Sequence, residues 1–298
     1  MVVRSVQERA RSDLQYSVAM SELVLTLQCP DRPGIVHAIT AAIVAAGGNI
    51  TELQQFSSPD SGQFFTRIEV QGSEARELGD AVGVQTAEFG ASFHVDDATR
   101  KTRTLILASK AGHALNDLLF AQRAGTLPIE VPVIVSNHRD LQPMAEFYGV
   151  DFVHLPVTAQ NKGQAEAELL KLVQEHRIEL VVLARYMQIL SDSLCERMAG
   201  RVINIHHSFL PSFKGAKPYH QAHARGVKLI GATAHYVTAD LDEGPIIDQE
   251  VTPVNHSRTA AQLVELGRSV EGRTLTRAVQ WHAEHRVMLD GQRTIVFS

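Results

Sequence analysis

The stretch Val-Ile-Asn-Ile-His-His-Ser-Phe-Leu-Pro, residues 202–211, decides how the second half of the chain is interpreted. Apolar residues precede both Asn204 and His206, which is the pattern of a strand that ends in polar side chains. A second apolar strand ends near His235 and leads to Asp242 and a Gly-Pro break. Ligands of open α/β sheets bind where strands end, so we expect these four side chains to line one crevice.

Strand and helix patterns alternate on both sides of this stretch, from residue 104 to the end of the chain. Residues 180–184 are wholly apolar, which is typical of a strand buried on both faces of a sheet. The alternation predicts a doubly wound, mostly parallel Rossmann-like sheet with right-handed crossovers. The predicted strands are 104–109, 131–136, 152–155, 180–184, 202–206, 229–237, 246–251 and 294–297, and the predicted helices are 112–123, 141–148, 164–176, 192–198, 219–224 and 259–283.

Residues 21–96 have a different order of elements. Their periodicity predicts strands at 23–28, 49–56, 64–70 and 92–95 and helices at 35–44 and 73–84. The order βαββαβ indicates a ferredoxin-like domain that precedes the sheet domain. Polar residues 97–103 are predicted to link this domain to the second one, residues 104–298, and residues 1–20 to form an extension.

The composition is that of a globular protein large enough for two domains, with 298 residues, 44% hydrophobic and 20% charged. A net charge of -5 gives no broad attraction to nucleic acid, and no apolar run reaches the roughly 20 residues that cross a bilayer. Residues 1–20 carry charges and no apolar core, so we expect no secretory signal. The two widely separated cysteines, Cys29 and Cys195, indicate free thiols and a cytoplasmic location.

The polar residues at the strand ends have the functional groups for carbonyl chemistry. The amide of Asn204 and the imidazole of His206 can polarise a carbonyl, and the carboxylate of Asp242 can accept a proton. Any one of them could equally cap a loop or fix a turn; the three together in this spacing favour a reactive site. The histidine pairs at 220/223 and 282/285 lack a ligand set of known type, so we predict no metal.

Two motifs give this region a family resemblance. Residues 204–211 fit N-x-H-x-S-x-L-P and residues 235–246 fit H-x-V-x-x-x-L-D-x-G-P-I, which together resemble the formyltetrahydrofolate-dependent formyltransferases and hydrolases. The stretches 213–222 and 231–237 resemble the hydrolysing branch of that family. The resemblance implies that the catalytic residues are Asn204, His206 and Asp242, that His235 and Ser208 support them, and that Met187, Gln188, Leu190 and Asp240 bind the folate.

The activity that this resemblance implies is hydrolysis of 10-formyltetrahydrofolate to formate and tetrahydrofolate, in support of purine synthesis. Asn204 and a protonated His206 would stabilise the oxyanion, and Asp242 would take a proton from the attacking water. No cofactor beyond the folate substrate is expected.

The turn after the first strand of the second domain separates hydrolysis from transfer. Glycinamide ribonucleotide formyltransferases carry a G-x-G-S-N turn there, whose backbone amides hold the acceptor's phosphate. Residues 109–115 read Ser-Lys-Ala-Gly-His-Ala-Leu and keep only Gly112, which argues against a phosphorylated acceptor. Lys110 could still attract a phosphate, so transfer to an amine stays an alternative. A non-catalytic amino-acid sensor is an alternative of another class.

The turn Asp-Arg-Pro-Gly-Ile at residues 31–35 leads into a helix and resembles the ACT domain, a module that commonly binds amino acids at subunit interfaces. The resemblance implies a homo-oligomer and an amino-acid effector, for which glycine or methionine would make metabolic sense. The residues expected to bind it are Asp31, Arg32, Gly34, Ile35 and Asn49.

Overall fold

The computed structural model describes residues 21–211 and 218–298, and these divide into two compact units between Thr99 and Arg100. The predicted extension, residues 1–20, lies outside the described residues, as do residues 212–217, which include the first part of the stretch 213–222. The segment 97–103, for which a linker is predicted, is partly strand. In this segment, Arg103 donates a hydrogen bond from Nη1 to the carboxylate of Glu130 at 2.7 Å.

Unit 1 is the predicted βαββαβ domain. Its elements are β1 (Glu22–Pro30), α1 (Ile35–Ala45), β2 (Asn49–Ser58), β3 (Gln63–Gln71), α2 (Ala75–Thr86), a 3-10 turn (Ala87–Phe89) and β4 (Ser92–Asp97). The sheet order is β2-β3-β1-β4, with antiparallel neighbours throughout. Alternate residues of β1 and β3 pack with the apolar sides of both helices in one core. This confirms the ferredoxin-like fold.

Unit 2 contains the predicted alternation of strands and helices. Its elements are β5 (Thr102–Ala108), α3 (His113–Ala124), β6 (Ile129–Ser136), α4 (Gln142–Tyr148), β7 (Asp151–His154), α5 (Lys162–Glu175), β8 (Leu180–Ala184), α6 (Asp192–Arg197), β9 (Val202–His206), α7 (Pro218–Ala224), β10 (Leu229–Tyr236), β11 (Ile246–Pro253), α8 (Ala260–Ala283), β12 (Val287–Asp290) and β13 (Arg293–Val296).

The seven-stranded sheet of unit 2 has the order β11-β10-β9-β8-β5-β6-β7. Strands β5 to β9 are parallel, whereas β10 and β11 each run antiparallel to the preceding neighbour. One face packs against α3, α4 and α8, and the other against α5 and α6. The chain leaves β5 first toward β6 and later returns to β8 on its other side. This reversal creates a crevice at the carboxyl ends of β5 and β8.

The C-terminal region differs from the prediction. We expected the last strand to belong to the large sheet, but β13 pairs with β12 in a separate two-stranded sheet. Helix α8 begins after a capping box, in which Thr259 and Gln262 each accept a backbone N–H of the other. Of the helices in the described ranges, none combines the length and apolarity that a membrane crossing requires.

Candidate active site

A cavity of about 690 Å³ lies in unit 2 and reaches both helical layers. Its volume is in the range of sites that hold small organic molecules. Part of the lining is apolar: Leu183, Leu190 and Val237 pack in the core on the α5 and α6 side, and the exposed side chains of Met187, Ile189 and Leu241 add to it. The polar part includes Asn204, His206, His207, His235, Asp242, Arg185 and Glu271.

Two of the predicted residues come from β9. Ile203 and Ile205 face the core on the α3 and α8 side, so Asn204 and His206 project from the opposite face. His206 is only 4% exposed, yet its Nε2 atom has no hydrogen-bond partner among the described residues. A buried imidazole nitrogen without a partner at a cavity wall is available to a ligand.

Asp242 reaches His206 from the loop between β10 and β11. Its Oδ2 atom lies 3.2 Å from His206 Nδ1. The backbone of Asp242 has φ +58°, a left-handed conformation that residues other than glycine seldom adopt. The turn itself depends on Gly244, because a Cβ there would lie 1.8 Å from the carbonyl oxygen of Tyr236. Gly244 therefore allows the turn, and the turn places the Asp242 carboxylate beside the imidazole of His206.

His235 holds the amide of Asn204 in one orientation. Its Nδ1 atom lies 2.9 Å from the backbone oxygen of Tyr236, and that oxygen can only accept, so Nδ1 carries the proton. The Nε2 atom of the neutral ring is then an acceptor, and Asn204 Nδ2 donates to it at 3.2 Å. The second N–H of Asn204 remains for a ligand in the cavity.

The protonation states follow from burial and neighbours. Burial lowers the pKa of His235, and this exceeds the opposite influences of the Tyr236 carbonyl and Asp242. Burial tends to raise the pKa of Asp242, but the hydrogen bond and charge of His206 outweigh it, so that the pKa lies below its usual value. At neutral pH the carboxylate is thus ionised beside a neutral His235.

The position of His235 in the site depends on how β10 pairs with β9, which the sequence pattern does not show. His235 lies near the carboxyl end of β10, as expected, but β10 runs antiparallel to β9, so this end of β10 points in the opposite direction from the carboxyl ends of the parallel strands. His235 instead lies directly opposite Asn204 in the register of the two strands. Cross-strand neighbours share a face, which places both side chains on the cavity side.

The residues expected to bind folate line the cavity together. Leu190 is buried and Met187 is 61% exposed. The segment 185–191 is fixed at two points, because the Met187 N–H donates to Ser109 Oγ at 2.9 Å and the Ser191 N–H donates to Glu166 at 2.8 Å. Gln188 and Asp240 also face the cavity, whereas Ser208 is buried outside its lining.

A second group of polar side chains in the lining had not been predicted. The carboxylate of Glu271, on α8, is 2% exposed and lies 2.8 Å from His113 Nε2, 2.7 Å from Tyr219 Oη and 3.3 Å from Arg185 Nε. Burial would raise the pKa of Glu271, but the hydrogen bond from His113, the Arg185 charge and the bond from Tyr219 lower it. We call these four residues the Glu271 cluster. One signal was available, since Glu271 falls on the apolar face of α8 beside Val270.

The residues expected to hold an effector lie around the β1–α1 turn of unit 1. Gly34 precedes α1 with φ +100°, and Ile35 belongs to the core. The guanidinium of Arg32 lies 4.4 Å above the ring of Phe89 and forms a salt bridge with Glu88. Asn49 starts β2 at the surface, and Asp31 is also exposed. Because Ile35 is buried, only its backbone could contact an effector.

Metal ligands do not converge in the described ranges. No three His, Cys, Asp or Glu side chains gather there closely enough to hold an ion. His282 instead lies 2.7 Å from the hydroxyl of Tyr236 through Nδ1. Cys29 and Cys195 are both buried free thiols.

Comparison with known proteins identifies both units. A family model of ACT domains matches residues 23–81, and a model of formyl transferases matches residues 102–279. A formyltetrahydrofolate deformylase of Corynebacterium sp. (strain P-1) is 50% identical over 277 residues, which cover 92% of this chain and 97% of that protein. One from Bacillus subtilis (strain 168) is 41% identical over 92% of this chain and 93% of its own length.

Solved structures of similar proteins point to the same family. The crystal structure of a formyltetrahydrofolate deformylase from Burkholderia mallei superposes with a TM-score of 0.90 at 47% identity, covering 93% of this chain and all of that one. A glycinamide ribonucleotide transformylase from Symbiobacterium toebii superposes with a TM-score of 0.62 at 32% identity, over 66% of this chain and 95% of its own. The chain therefore belongs to the formyltetrahydrofolate deformylase family, in which an ACT domain precedes a formyl transferase domain.

Proposed function

We propose that this protein hydrolyses 10-formyltetrahydrofolate to formate and tetrahydrofolate. The observation that carries the proposal is the meeting of three predicted groups at one cavity, with Asp242 3.2 Å from His206 and Asn204 oriented by His235. They supply two hydrogen-bond donors and one base, which is what the attack of water on a formyl carbon requires.

The reaction begins when water attacks the formyl carbon and the carbonyl oxygen becomes an oxyanion. Asn204 donates its free N–H to that oxygen, and His206 donates from Nε2 while Asp242 stabilises its charge through Nδ1. Each donor of this kind is worth about 3–4 kcal/mol in oxyanion holes. Asp242 takes one proton from the water and returns it to N10 of the folate as the C–N10 bond breaks. The second oxygen of formate comes from the water.

In this proposal the folate ring system binds against the apolar part of the lining. Met187, Leu190 and Val237 offer apolar surface, and Gln188 and Asp240 offer polar groups for the edges of the pterin. Because the 185–191 segment is fixed by Ser109 and Glu166, this part of the site is formed before the substrate binds. No cofactor beyond the folate is part of the proposal, since the chain's own side chains supply the donors and the base.

The β5–α3 turn supports hydrolysis over transfer. A Cβ at Gly112 would lie 2.9 Å from Leu141 and 3.0 Å from Met144, so this glycine makes room for apolar side chains. Gly112 is also the only glycine in residues 109–115, so the turn lacks the row of glycines that lets backbone amides surround a phosphate. Neither transfer to glycinamide ribonucleotide nor a purely sensory role is favoured by an observation in this molecule.

Regulation and assembly form a separate part of the proposal. The ACT domain suggests that an amino acid, glycine or methionine, binds near the β1–α1 turn, where Gly34 leads into the first turn of α1. We further propose a homo-oligomer in the cytoplasm, in keeping with the free thiols of Cys29 and Cys195. Light scattering tests the assembly, and a monomer at assay concentrations would contradict it.

The experiment that tests the activity is incubation of purified protein with 10-formyltetrahydrofolate, with formate measured in the presence and absence of glycinamide ribonucleotide. Hydrolysis predicts equal amounts of formate and tetrahydrofolate without the ribonucleotide. Turnover that depends on the ribonucleotide would make the protein a transferase and overturn the proposal.

A further inference from the structure

The Glu271 cluster occupies the part of the cavity wall next to α3 and α8, on the opposite side of the sheet from the apolar lining. It joins side chains from α3, α7, α8 and the residue after β8, and three of them contact the carboxylate of the fourth, Glu271. The reaction proposed above does not use Glu271, His113, Arg185 or Tyr219. A buried ionic network at an active-site cavity, in which Arg185 Nε forms an ion pair with Glu271 without a hydrogen bond, calls for another explanation.

Arg185 stands where a smaller residue would fit the backbone better. It follows the last residue of β8 and has φ +64°, a conformation in which glycine is favoured. Its side chain is nevertheless only 16% exposed and is fixed against Glu271. The chain thus tolerates an unfavourable backbone angle and places the bulk of an arginine in the cavity wall.

Tyr219 and His113 fill the adjoining space. A Cβ at Gly267 would lie 2.0 Å from the ring of Tyr219, so this glycine of α8 allows the tyrosine to lie directly against the helix. That position brings the tyrosine hydroxyl to Glu271 at 2.7 Å. His113, the first residue of α3, turns its ring to the same carboxylate. The space beside the first turn of α3 is therefore taken by side chains.

We propose that the Glu271 cluster determines which nucleophile reaches the formyl carbon, because it fills the space that an amine acceptor would need and leaves room for water. The inference rests on the hydrolysis proposed above. In hydrolysis, water oxygen bonds to the formyl carbon, the C–N10 bond breaks and N10 gains a proton. In transfer, an amine nitrogen bonds to that carbon and gives up a proton, the same C–N10 bond breaks, and N10 again gains a proton.

The test uses Arg185→Gly, which removes the side chain and suits the left-handed backbone. Arg177→Gly is the matched control, since Arg177 also has a positive φ, +50°, but lies outside the cavity lining. Each protein is incubated with 10-formyltetrahydrofolate and glycinamide, and the ratio of N-formylglycinamide to formate is measured. His113→Ala opens the same wall without changing the backbone at residue 185, and circular dichroism establishes that each variant folds.

We expect Arg185→Gly and His113→Ala to raise that ratio at least about tenfold, the scale of discrimination by pocket volume, and Arg177→Gly to leave it at the wild-type value. If folded variants release formate but formylate glycinamide no more than the wild type, the inference is wrong and the hydrolase remains. If Arg185→Gly does not fold, His113→Ala decides alone. If the wild type releases no formate without an acceptor, the proposed function itself fails.

Discussion

Asp242→Asn separates the chemical role of the carboxylate from its place in the fold. Asparagine has the same shape, and next to glycine it is the residue that best tolerates the left-handed conformation of residue 242, with φ +58°. The loop should therefore keep its course. What is lost is the base for the attacking water and the negative charge 3.2 Å from His206.

General base catalysis contributes about 10²- to 10⁴-fold in rate, so we expect kcat for formate release to fall by that factor, or about 3–5 kcal/mol in the barrier. KM should change little, because the apolar lining that holds the pterin is untouched. Glu243→Gln, which neutralises the exposed neighbouring carboxylate, is the matched control and should keep the wild-type rate. The melting temperature of Asp242→Asn should be only slightly below that of the wild type. A folded Asp242→Asn protein with kcat within tenfold of the wild type would refute the assigned role.

Three further predictions concern the amide of Asn204, the turn at Gly244 and His282, which is partly buried outside the cavity lining. Asn204→Ala should lower kcat by about 10²- to 10³-fold in steady-state formate assays, because one oxyanion donor is lost. Gly244→Ala should lower both kcat and the melting temperature, since its Cβ would collide with the Tyr236 carbonyl, whereas Gly163→Ala, with open space around it, should not. Burial lowers the pKa of His282 from 6.5 to about 4, so the unfolded state binds more protons between these values and stability falls as pH drops. In urea titrations at pH 7 and pH 5, the wild type should lose roughly 1–2 kcal/mol more than His282→Gln.

Each of these has a contradicting result. An Asn204→Ala protein with wild-type kcat and raised KM would make the amide a binding group only. Equal melting temperatures for the two glycine variants would show that the turn can shift. An equal loss of stability in wild type and His282→Gln would mean that another group dominates the acid response.

The strands at the centre of the sheet could be predicted to the residue. β8 and β9 match the expected bounds because each is a short apolar run with a clear polar end. The convergence of Asn204, His206 and Asp242 was predictable for the same reason, since their positions follow from strand ends and a Gly-Pro turn. The sequence pattern is sufficient to predict an element when its burial and its direction can both be inferred from residues close by in the chain.

The remaining features depend on contacts that spacing does not encode. The position of His235 depends on the antiparallel pairing of β10, and a strand pattern is the same in both directions. The Glu271 cluster depends on partners 158 residues away at His113 and 52 residues away at Tyr219. β12 was not predicted, although the equally short strands β7 and β13 were.

The measurement that tests the central claim most directly is the isotopic composition of the formate. The protein is incubated with 10-formyltetrahydrofolate in water enriched in oxygen-18, without any amine acceptor, and the formate is analysed by mass spectrometry. Attack of water on the formyl carbon predicts one labelled oxygen in each formate molecule released by the wild type, and almost no formate above the enzyme-free blank from Asp242→Asn. Unlabelled formate, or no formate until an amine is added, would contradict the account.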